Sequence, residues 1–368
     1  MSEWKVYKLG EVVTFQRGFD LPKDKMRNGE YPVAGSNGVI GWHSEYTTKG
    51  PGVTIGRSGN IGTPHFYKSN YWAHNTSLFV KDFKGNDPLF IYYLLKRIDF
   101  KQLNTGSAVP TLNRNHVHDL QVLLPPIDEQ KRIAGVLSSL DDKIDLLNRE
   151  NATLEALAET LFRHYFIENP DPTWKEGKLG DILSVRGGTT PSTNEPRFWN
   201  GNIAWTSPRD VTTLNGMYLF KTEKTITEEG LAKISSGLLP AGTLLMSSRA
   251  PVGVLAFAEI PVAINQGYIA IIDDKGYPKE FIYLWLKDNM EAVHSYSNGS
   301  TFMEISKTAF KSLDITIPDR STVIEFNEQV KPLFEKIKFN QRQILSLSVQ
   351  RDMLLPRLMS GEVKIVEQ

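Results

Sequence analysis

The feature that most constrains this chain is an internal repeat. Three markers of a first copy return 170 residues later: Trp4, Lys8-Leu9-Gly10-Glu11 and Gly18 match Trp174, Lys178-Leu179-Gly180-Asp181 and Gly188. Further matches are Ala73-His74-Asn75 with Ala263-Ile264-Asn265 at an offset of 190, and Phe90–Lys96 with Phe281–Lys287 at 191. From Gly106 onward the offset is 193. Chance similarity would not keep collinear matches over about 160 residues, so the sequence predicts a duplicated module.

The repeat divides the chain into two modules, at 1–126 and 169–319, and two helical segments, at 127–168 and 320–368. Within the modules, short apolar segments alternate with clusters of Gly, Pro, Asn and Ser, which predicts many short strands joined by loops. The segments at Phe90 and Phe281 have helical spacing and are expected to cover the sheets. The prediction is an α+β fold, with most of the second module's extra length between Gly188 and Ala263.

Each helical segment carries a heptad pattern. After Pro125-Pro126, seam residues alternate spacings of four and three, which is typical of a coiled coil. The first seam is Ile133, Leu137, Leu140, Ile144, Leu147, Asn151, Leu154, Ala158 and Leu161. The second is Phe326, Val330, Leu333, Ile337, Asn340, Ile344, Leu347, Arg351 and Leu354. Helices of about 40 residues would each run roughly 60 Å.

One asparagine in each seam predicts how the helices pair. A lone buried amide costs stability unless it finds a partner, which favours an antiparallel pair in which Asn151 faces Asn340. The neighbouring layers would then be Leu137 with Leu354, Ile144 with Leu347, and Leu154 with Ile337. The alternative is that each helix packs only on its own module. An antiparallel pair would give a pseudo-twofold molecule with two similar heads, which suits a split DNA target whose half-sites lie about 34–36 Å apart.

Composition excludes several classes of protein. The chain has no cysteine, which rules out disulfides, thiolate metal sites and cysteine nucleophiles. It has no apolar run that predicts a membrane span and no signal-peptide pattern, so we expect a cytoplasmic protein. The net formal charge is zero, but residues 1–126 carry +5 and residues 168–319 carry −4. Any DNA affinity must therefore come from local patches or from a partner.

Four patterns that suggest catalysis or metal binding have simpler explanations. Gly50–Ser58 resembles a phosphate-binding loop, but its spacing is one residue too long and arginine stands where lysine is needed. Asn169-Pro170-Asp171-Pro172 lacks the adjacent prolines and aromatic residue of an adenine methyltransferase loop and is expected to end the helix. Pro318-Asp319 is expected to form a turn. His116 and His118 lack a third ligand and are expected at the surface. We predict no catalytic residue and no metal site.

Motifs in both copies resemble those of the specificity subunits of type I restriction-modification systems. They are the Trp and Lys-Leu-Gly-acidic start of each module, Tyr31–Gly38, Ile55–Gly62, Leu124–Gln130, Gly188–Pro191 and Leu355–Glu362. Each is weak alone, but their order around two long helices is specific and covers essentially the whole chain. One departure is Arg351, at a seam position where the first copy has Ala158. It would either loosen the helix pair locally or extend its charge to solvent.

The resemblance implies a non-catalytic subunit with two target-recognition domains, each of which reads one half of a bipartite DNA sequence. The helices would hold these domains apart and dock two adenine-methyltransferase subunits, which nuclease-translocase (restriction) subunits join. S-adenosylmethionine, ATP and Mg²⁺ would then be bound by partner subunits, and the longer second module suggests unequal half-sites. Alternatives are a recognition subunit of a methylation-only or related phage-defence complex, a coiled-coil scaffold that binds no DNA, and a free-standing enzyme.

Residues expected to contact DNA lie in polar, glycine-rich loops. Arginine can pair with guanine, asparagine with adenine, and serine with phosphate. The loop Arg57–Asn60 offers all three groups, with Ser247–Pro251 as its counterpart, and a second loop pair is Asn104–Ser107 with Asn298–Thr301. A turn, a cap or a solvated charge is the alternative role for each residue. The candidates are Arg57, Ser58, Asn60, Thr105, Ser107, Thr189, Thr190, Arg197, Arg209, Ser248, Arg249, Asn298 and Ser300.

Overall fold

The computed structural model describes residues 4–103, 111–249, 251–272, 275–297 and 303–365. The chain forms two compact units, the first of residues 1–145 with 345–368 and the second of residues 146–344. Each unit therefore contains one module together with a stretch of both long helices. None of the helices in the described ranges is long and apolar enough to cross a membrane.

The first module consists of short strands and short helices and ends at the first long helix. In chain order they are β1 (Lys5–Lys8), α1 (Leu9–Val12), β2 (Thr14–Arg17), β3 (Tyr31–Gly35), β4 (Gly38–His43), β5 (Gly52–Gly56), β6 (Pro64–Tyr67), β7 (Trp72–Ala73), β8 (Ser77–Asp82), α2 (Pro88–Lys96), α3 (Arg114–His118), β9 (Gln121–Leu124) and the long helix α4 (Ile127–Arg163). Two turns of 3₁₀ helix, Lys23–Lys25 and Phe100–Leu103, lie between them.

The second module repeats this order with additions. Its elements are β10 (Lys175–Lys178), α5 (Leu179–Ile182), β11 (Ser184–Arg186), β12 (Trp199–Thr206), α6 (Pro208–Thr212), β13 (Tyr218–Leu219), β14 (Lys224–Ile226), α7 (Glu228–Leu231), β15 (Thr243–Ser247), β16 (Leu255–Ala258), β17 (Val262–Ile264), β18 (Tyr268–Ile272), α8 (Lys279–Asp288), α9 (Met290–Ser295), α10 (Lys307–Lys311), β19 (Asp314–Ile317) and the long helix α11 (Arg320–Met359). A 3₁₀ turn covers Pro196–Phe198.

Sheet topology shows the duplication directly. The first module has an antiparallel pair β1-β9, a sheet β2-β8-β5-β6 and a sheet β4-β3-β7. The second has the matching pair β10-β19, a sheet β11-β18-β15-β16 extended by β13, and a sheet β14-β12-β17. In each three-stranded sheet the central strand runs antiparallel to one neighbour and parallel to the other. The extra strand β13 and helices α6 and α7 lie between β11 and β17, where the sequence places the added length.

Main-chain hydrogen bonds correct one part of the sequence alignment. His74 N donates to Ala34 O, and Asn265 N donates to Thr206 O. Phe19 N donates to Ala73 O, and Thr189 N donates to Ile264 O. Ala73 is therefore equivalent to Ile264 and His74 to Asn265, at an offset of 191 rather than 190. The Ala-x-Asn match misled the alignment because two identical residues out of three are too few to fix a strand register.

Both sequence-predicted helices are present and pair with antiparallel polarity within each unit. In the second unit, Asn340 Nδ2 donates to Asn151 Oδ1 at 2.9 Å and to Glu150 Oε2 at 3.1 Å, which is the contact expected for the seam asparagines. Farther along, rings of Phe162 and Phe326 meet at 6.1 Å between centroids. From the asparagine contact to the phenylalanine contact, the residue number rises along α4 and falls along α11. The two helices therefore run in opposite directions.

The helices also pack on the modules, so pairing and module packing are not alternatives. In the first unit, one apolar core joins module residues such as Phe90 with Ile133 and Leu137 of α4 and Leu358 of α11. In the second unit, the core joins Phe281 of α8 with helix residues Ala158, Phe162, Phe326, Val330 and Ile337, and Leu154 packs against it. In the first unit, the seam residues Ile144 and Leu347 are only partly buried.

Arg351 corrects the expectation that its charge loosens the seam or extends to solvent. Its Nη1 lies 2.7 Å from Asp141 Oδ1, and the two side chains are only 22% and 27% exposed. Tyr93 donates its hydroxyl to the other oxygen, Asp141 Oδ2, at 2.7 Å. A carboxylate thus links α2, α4 and α11 within the first unit. Sequence spacing missed this partner because Asp141 is adjacent to the seam rather than in it.

Candidate nucleic-acid interface

The first unit contains an open groove of about 420 Å³ with a basic lining. Arginines reach it from three separate elements: the end of β2, the segment after β5, and the start of α3. The described lining residues include no carboxylate. They are Arg17, Arg57, Leu78, Thr111, Leu112, Asn113, Arg114 and Asn115.

The main chain holds Arg57 in place from both sides. Its N–H donates to Thr76 O at 2.8 Å, and its carbonyl accepts from Leu112 N at 2.9 Å. The next residue, Ser58, forms an isolated antiparallel β-bridge with Thr111. These bonds use the main chain of the segment, so they leave the half-buried Arg57 side chain to line the groove. No described residue forms an ion pair with its guanidinium.

Sequence reasoning missed Arg17 and Arg114. Arg17 is the last residue of β2, where its side chain, 54% exposed, lies 3.5 Å from Asp20 Oδ1. Such an exposed ion pair contributes little and is easily exchanged for another anion. Arg114 is the first residue of α3, and Asn113 caps that helix by accepting from Asn115 N at 2.9 Å. The Asn-Arg-Asn run at the start of the helix was the available signal.

Another correction concerns His118, which is not a surface residue. It is partly buried, and its Nε2 accepts a hydrogen bond from Phe15 N at 3.0 Å. Burial, and then the positive charge of Arg114, hold the pKa of His118 below its usual value. A neutral ring is required for Nε2 to accept, so this histidine has a structural role beside the groove. His116 is exposed, as expected.

The predicted loop Arg57–Asn60 has a neighbour, the turn between β3 and β4, that the sequence did not mark as a site. Asn60 is exposed, and Thr63 donates to its Oδ1 at 3.4 Å. A Cβ built on Gly56 would lie 1.8 Å from Asn60 O and 3.0 Å from Ser36 O. The turn between β3 and β4 therefore lies against this loop, and only glycine fits between them. Gly59 has a φ of +81°, which favours glycine for conformation rather than for contact.

The second unit presents different residues at the same structural positions. Ser248 N donates to Gly267 O at 2.8 Å and Ser248 O accepts from Ile305 N at 3.0 Å, so Ser248 corresponds to Arg57. The main chain of Arg249 forms an isolated antiparallel β-bridge with that of Glu304, as the main chain of Ser58 does with that of Thr111. Ser248 is only 3% exposed, so in this conformation its hydroxyl does not reach a ligand from solvent. Arg249 is half-buried and no described residue forms an ion pair with its side chain.

The other candidates of the second unit have partners within the protein. Thr189 donates its hydroxyl to Lys233 O at 2.7 Å, and Thr190 donates to Gln266 Oε1 at 2.6 Å. Arg197 lies 3.3 Å from Glu195 and 3.8 Å from Glu229, and Arg209 lies 3.7 Å from Glu223. The arginine contacts are solvent-exposed pairs that DNA phosphates could displace, whereas the threonines stabilise the fold. Thr105, Ser107, Asn298 and Ser300 lie outside the described residues.

The rejected motifs have structural roles. Gly52–Gly56 is strand β5 rather than a loop before a helix. The helical path after α4 ends in a π turn, His164–Glu168, just before Asn169-Pro170. Asp319 accepts from Thr322 N at 3.0 Å and so caps α11. Within the described ranges, no group of three or more His, Asp or Glu residues could hold a metal ion.

Comparison with known proteins agrees with this architecture. The family described as the type I restriction modification DNA specificity domain matches residues 1–156 and 172–347, one match for each copy of the repeat. The crystal structure of a type I restriction-modification S subunit from M. genitalium covers 100% of this chain and 97% of its own, with a TM-score of 0.66 and 18% identity. At that identity the likeness is one of fold.

Relatives similar in sequence include two specificity subunits. The type I restriction enzyme MjaIX specificity subunit of Methanocaldococcus jannaschii is 36% identical over 162 residues, which is 44% of this chain and 38% of that protein. The HindI specificity subunit of Haemophilus influenzae is 22% identical over 357 residues, covering 75% of this chain and 77% of that protein. The 36% identity thus spans less than half of either protein, while the family match spans most of the chain. The chain belongs to the family of type I restriction-modification DNA specificity proteins.

Proposed function

We propose that this chain is the DNA-recognition subunit of a type I restriction-modification complex and that each unit recognises one half of a bipartite target. The observation that carries the proposal is the pair of matches to a DNA specificity domain, which fall on two structurally equivalent modules. A protein with two equivalent recognition modules on one chain suits a target with two parts. The long helices, each contributing to both units, would fix the gap between those parts.

The basic groove supports DNA contact in the first unit. Arg17, Arg57 and Arg114 come from three elements that the fold brings together without a lining carboxylate among the described residues. Arginine pairs with phosphate and with the major-groove edge of guanine through its planar fork. Residues 1–126 carry a net charge of +5 although the whole chain is neutral. In the second unit, whose module is acidic, Arg197, Arg209 and Arg249 are the candidates for contact.

Methylation and cleavage are assigned to partner subunits. Two methyltransferase subunits would dock on this chain and bind S-adenosylmethionine, and restriction subunits would supply ATP- and Mg²⁺-dependent nuclease activity. The assignment rests on the family and on the groove, whose described lining consists of arginine, asparagine, leucine and threonine residues. A subunit of this kind directs the reaction by choosing where on DNA its partners assemble.

Mapping methylated bases in DNA exposed to the assembled complex tests the proposal. We expect methylation at a target of two short motifs separated by a gap of fixed length. The isolated chain should neither methylate nor cleave. Methylation without restriction partners would instead identify a methylation-only system. Absence of sequence-specific, salt-sensitive DNA binding by the complex would contradict DNA recognition and favour a scaffold protein.

A further inference from the structure

Each unit has an arginine in the segment after β5 or β15, but in the second unit it lies one residue farther along the chain. Arg57 and Ser248 occupy equivalent positions. Each donates its N–H to the residue just before β8 or β18, and each accepts at its carbonyl from the second residue before α3 or α10. Strand pairing confirms the offset, because Ile55 pairs with Pro64 and Leu78 as Met246 pairs with Leu255 and Ile269. Arg249 is therefore equivalent to Ser58, not to Arg57.

A shift of one residue has a large geometric effect here. Both segments continue a β-strand and are bridged to a neighbouring segment. Successive side chains of an extended segment point to opposite faces. The side chains of Arg57 and Arg249 therefore leave opposite faces of equivalent segments. Equivalent backbone segments of the two modules thus present their arginine to different surroundings.

The two other arginines of the groove also have different residues at the equivalent positions of the second unit. Arg17 corresponds to Gly187, because β2 pairs with β8 as β11 pairs with β18. Arg114 corresponds to Lys307, since each is the first residue of its helix, α3 or α10. A Cβ built on Gly187 would lie 2.9 Å from Lys307 Nζ, so the lysine occupies the space above the glycine. Three arginines in the first unit are thus replaced by glycine, a buried serine and one lysine.

We propose that the groove of the first unit reads a guanine through Arg57, while Arg17 and Arg114 neutralise neighbouring phosphates, and that the second unit makes no equivalent guanine contact. This inference rests on the proposed function and deepens it. The guanidinium fork can donate to both O6 and N7 of guanine, and no other base presents two acceptors in this pattern. Arg57 is the half-buried member of the three, whereas Arg17 and Arg114 are exposed, as suits contact with the outer backbone.

The test compares base preferences of the assembled complex, wild type and variants, on a library of duplex DNA with randomised half-sites. Arg57→Lys keeps the charge but removes the fork. The pair Arg57→Ser with Ser58→Arg keeps composition and moves the arginine to the place it has in the second unit. We expect both to lower the preference for guanine at one position of one half-site about tenfold to hundredfold. The other half-site should be unchanged.

Arg17→Ala and Arg114→Ala should weaken binding to all sequences alike. Each should reduce the slope of log affinity against log salt by about one, with base preferences retained. Arg97→Ala removes an exposed charge at the end of α2 and serves as the matched control. Thermal unfolding midpoints of all variants establish that the fold is intact.

Outcomes separate this inference from the proposed function. If the wild type selects a two-part target and the pair Arg57→Ser with Ser58→Arg keeps its guanine preference, the inference is wrong and the proposed function stands. The inference is also wrong if the Arg57 variants change the base preference in both half-sites or in neither. If Arg57→Ala reduces the salt slope and leaves the guanine preference unchanged, Arg57 binds phosphate and guanine reading is excluded. A wild-type complex that selects no two-part target overturns both.

Discussion

Arg351 shows how a charged residue is accommodated at a helix seam. It pairs with Asp141, which also accepts from Tyr93, and both charged groups are about three-quarters buried. Burial raises the pKa of Tyr93, and the hydrogen bond to the Asp141 carboxylate raises it further. Removing one member of a partly buried pair leaves the other without compensation, which costs more than the pair itself contributes. The network therefore constrains how α11 packs on the first module.

We expect Arg351→Ala to lower the free energy of unfolding of the first unit by about 1–3 kcal/mol. Urea denaturation of the chain, followed by circular dichroism, measures this change. Arg357→Ala is the matched control, because Arg357 pairs with Glu362 at 2.9 Å but both side chains are about half exposed. It should cost less than about 1 kcal/mol. Equal effects of the two substitutions would show that Asp141 does not need its partner.

The asparagine layer in the second unit is a second residue-scale feature. Asn340 is fully buried, and its Oδ1 has no hydrogen-bond partner within the described residues. Its Nδ2 bonds to Asn151 and Glu150. An amide in this position stabilises one register of a helix pair at some cost in overall stability. The pair is thus a device for register rather than for strength.

A double-mutant cycle tests this role. Asn151→Leu and Asn340→Leu each leave one amide facing leucine, whereas the double variant gives an apolar layer. We expect the double variant to be more stable than the two single effects predict, by about 0.5–3 kcal/mol. Denaturation midpoints and slopes of the four proteins give the coupling energy. Strictly additive effects would mean that the two side chains do not interact in solution.

At the scale of elements, the helices were easier to predict than the sheets. Heptad spacing marked both long helices, and Pro126 and Asp319 lie immediately before their first residues, Ile127 and Arg320. Strand register depends on long-range pairing, which is why the match at Ala73 was one residue wrong. Arg17 and Arg114 were missed for the same reason, since β2, β5 and α3 meet only through the tertiary fold.

The cap of α11 leads to an element-scale prediction. Asp319 accepts hydrogen bonds from Thr322 N and Oγ1, and Trp174 Nε1 donates to it at 3.1 Å. Ser321 donates a further hydrogen bond, and these donors hold the pKa of Asp319 well below its usual value. We expect Asp319→Ala to cost about 0.5–2 kcal/mol at neutral pH. Asp319→Ser, which keeps an acceptor, should recover most of that loss.

The pH dependence of this effect follows from the lowered pKa. A carboxylate whose pKa is lower in the folded state stabilises the fold above its unfolded pKa of about 3.9 and loses that contribution as the pH falls toward its folded value. The difference in unfolding free energy between wild type and Asp319→Ala should therefore shrink below about pH 4. Denaturation curves at pH 7 and pH 3 measure it. A difference that is the same at both values would exclude the charged cap.

At the scale of the whole molecule, the repeat predicts equivalent attachment points for two copies of one partner. Leu146 of α4 and Phe339 of α11 are related by the offset of 193 and are 49% and 55% exposed. Neither belongs to the seam, so pairing of the helices does not explain an apolar residue at either position. Large apolar groups that remain exposed at matching places on two helices are typical of a binding surface. We predict that the two methyltransferase subunits of the proposed complex dock at these two positions.

Single substitutions should then remove one partner at a time. We expect Leu146→Asp and Phe339→Asp each to give a complex with one methyltransferase subunit, and the double variant to give a chain without any, because a buried unpaired carboxylate opposes docking. Native mass spectrometry of the co-expressed complex measures the stoichiometry. Gln350→Asp, at an exposed polar position of α11, is the control that adds the same charge. If either single variant loses both partners while its unfolding midpoint is unchanged, the two positions belong to one shared surface and the repeat does not set the stoichiometry.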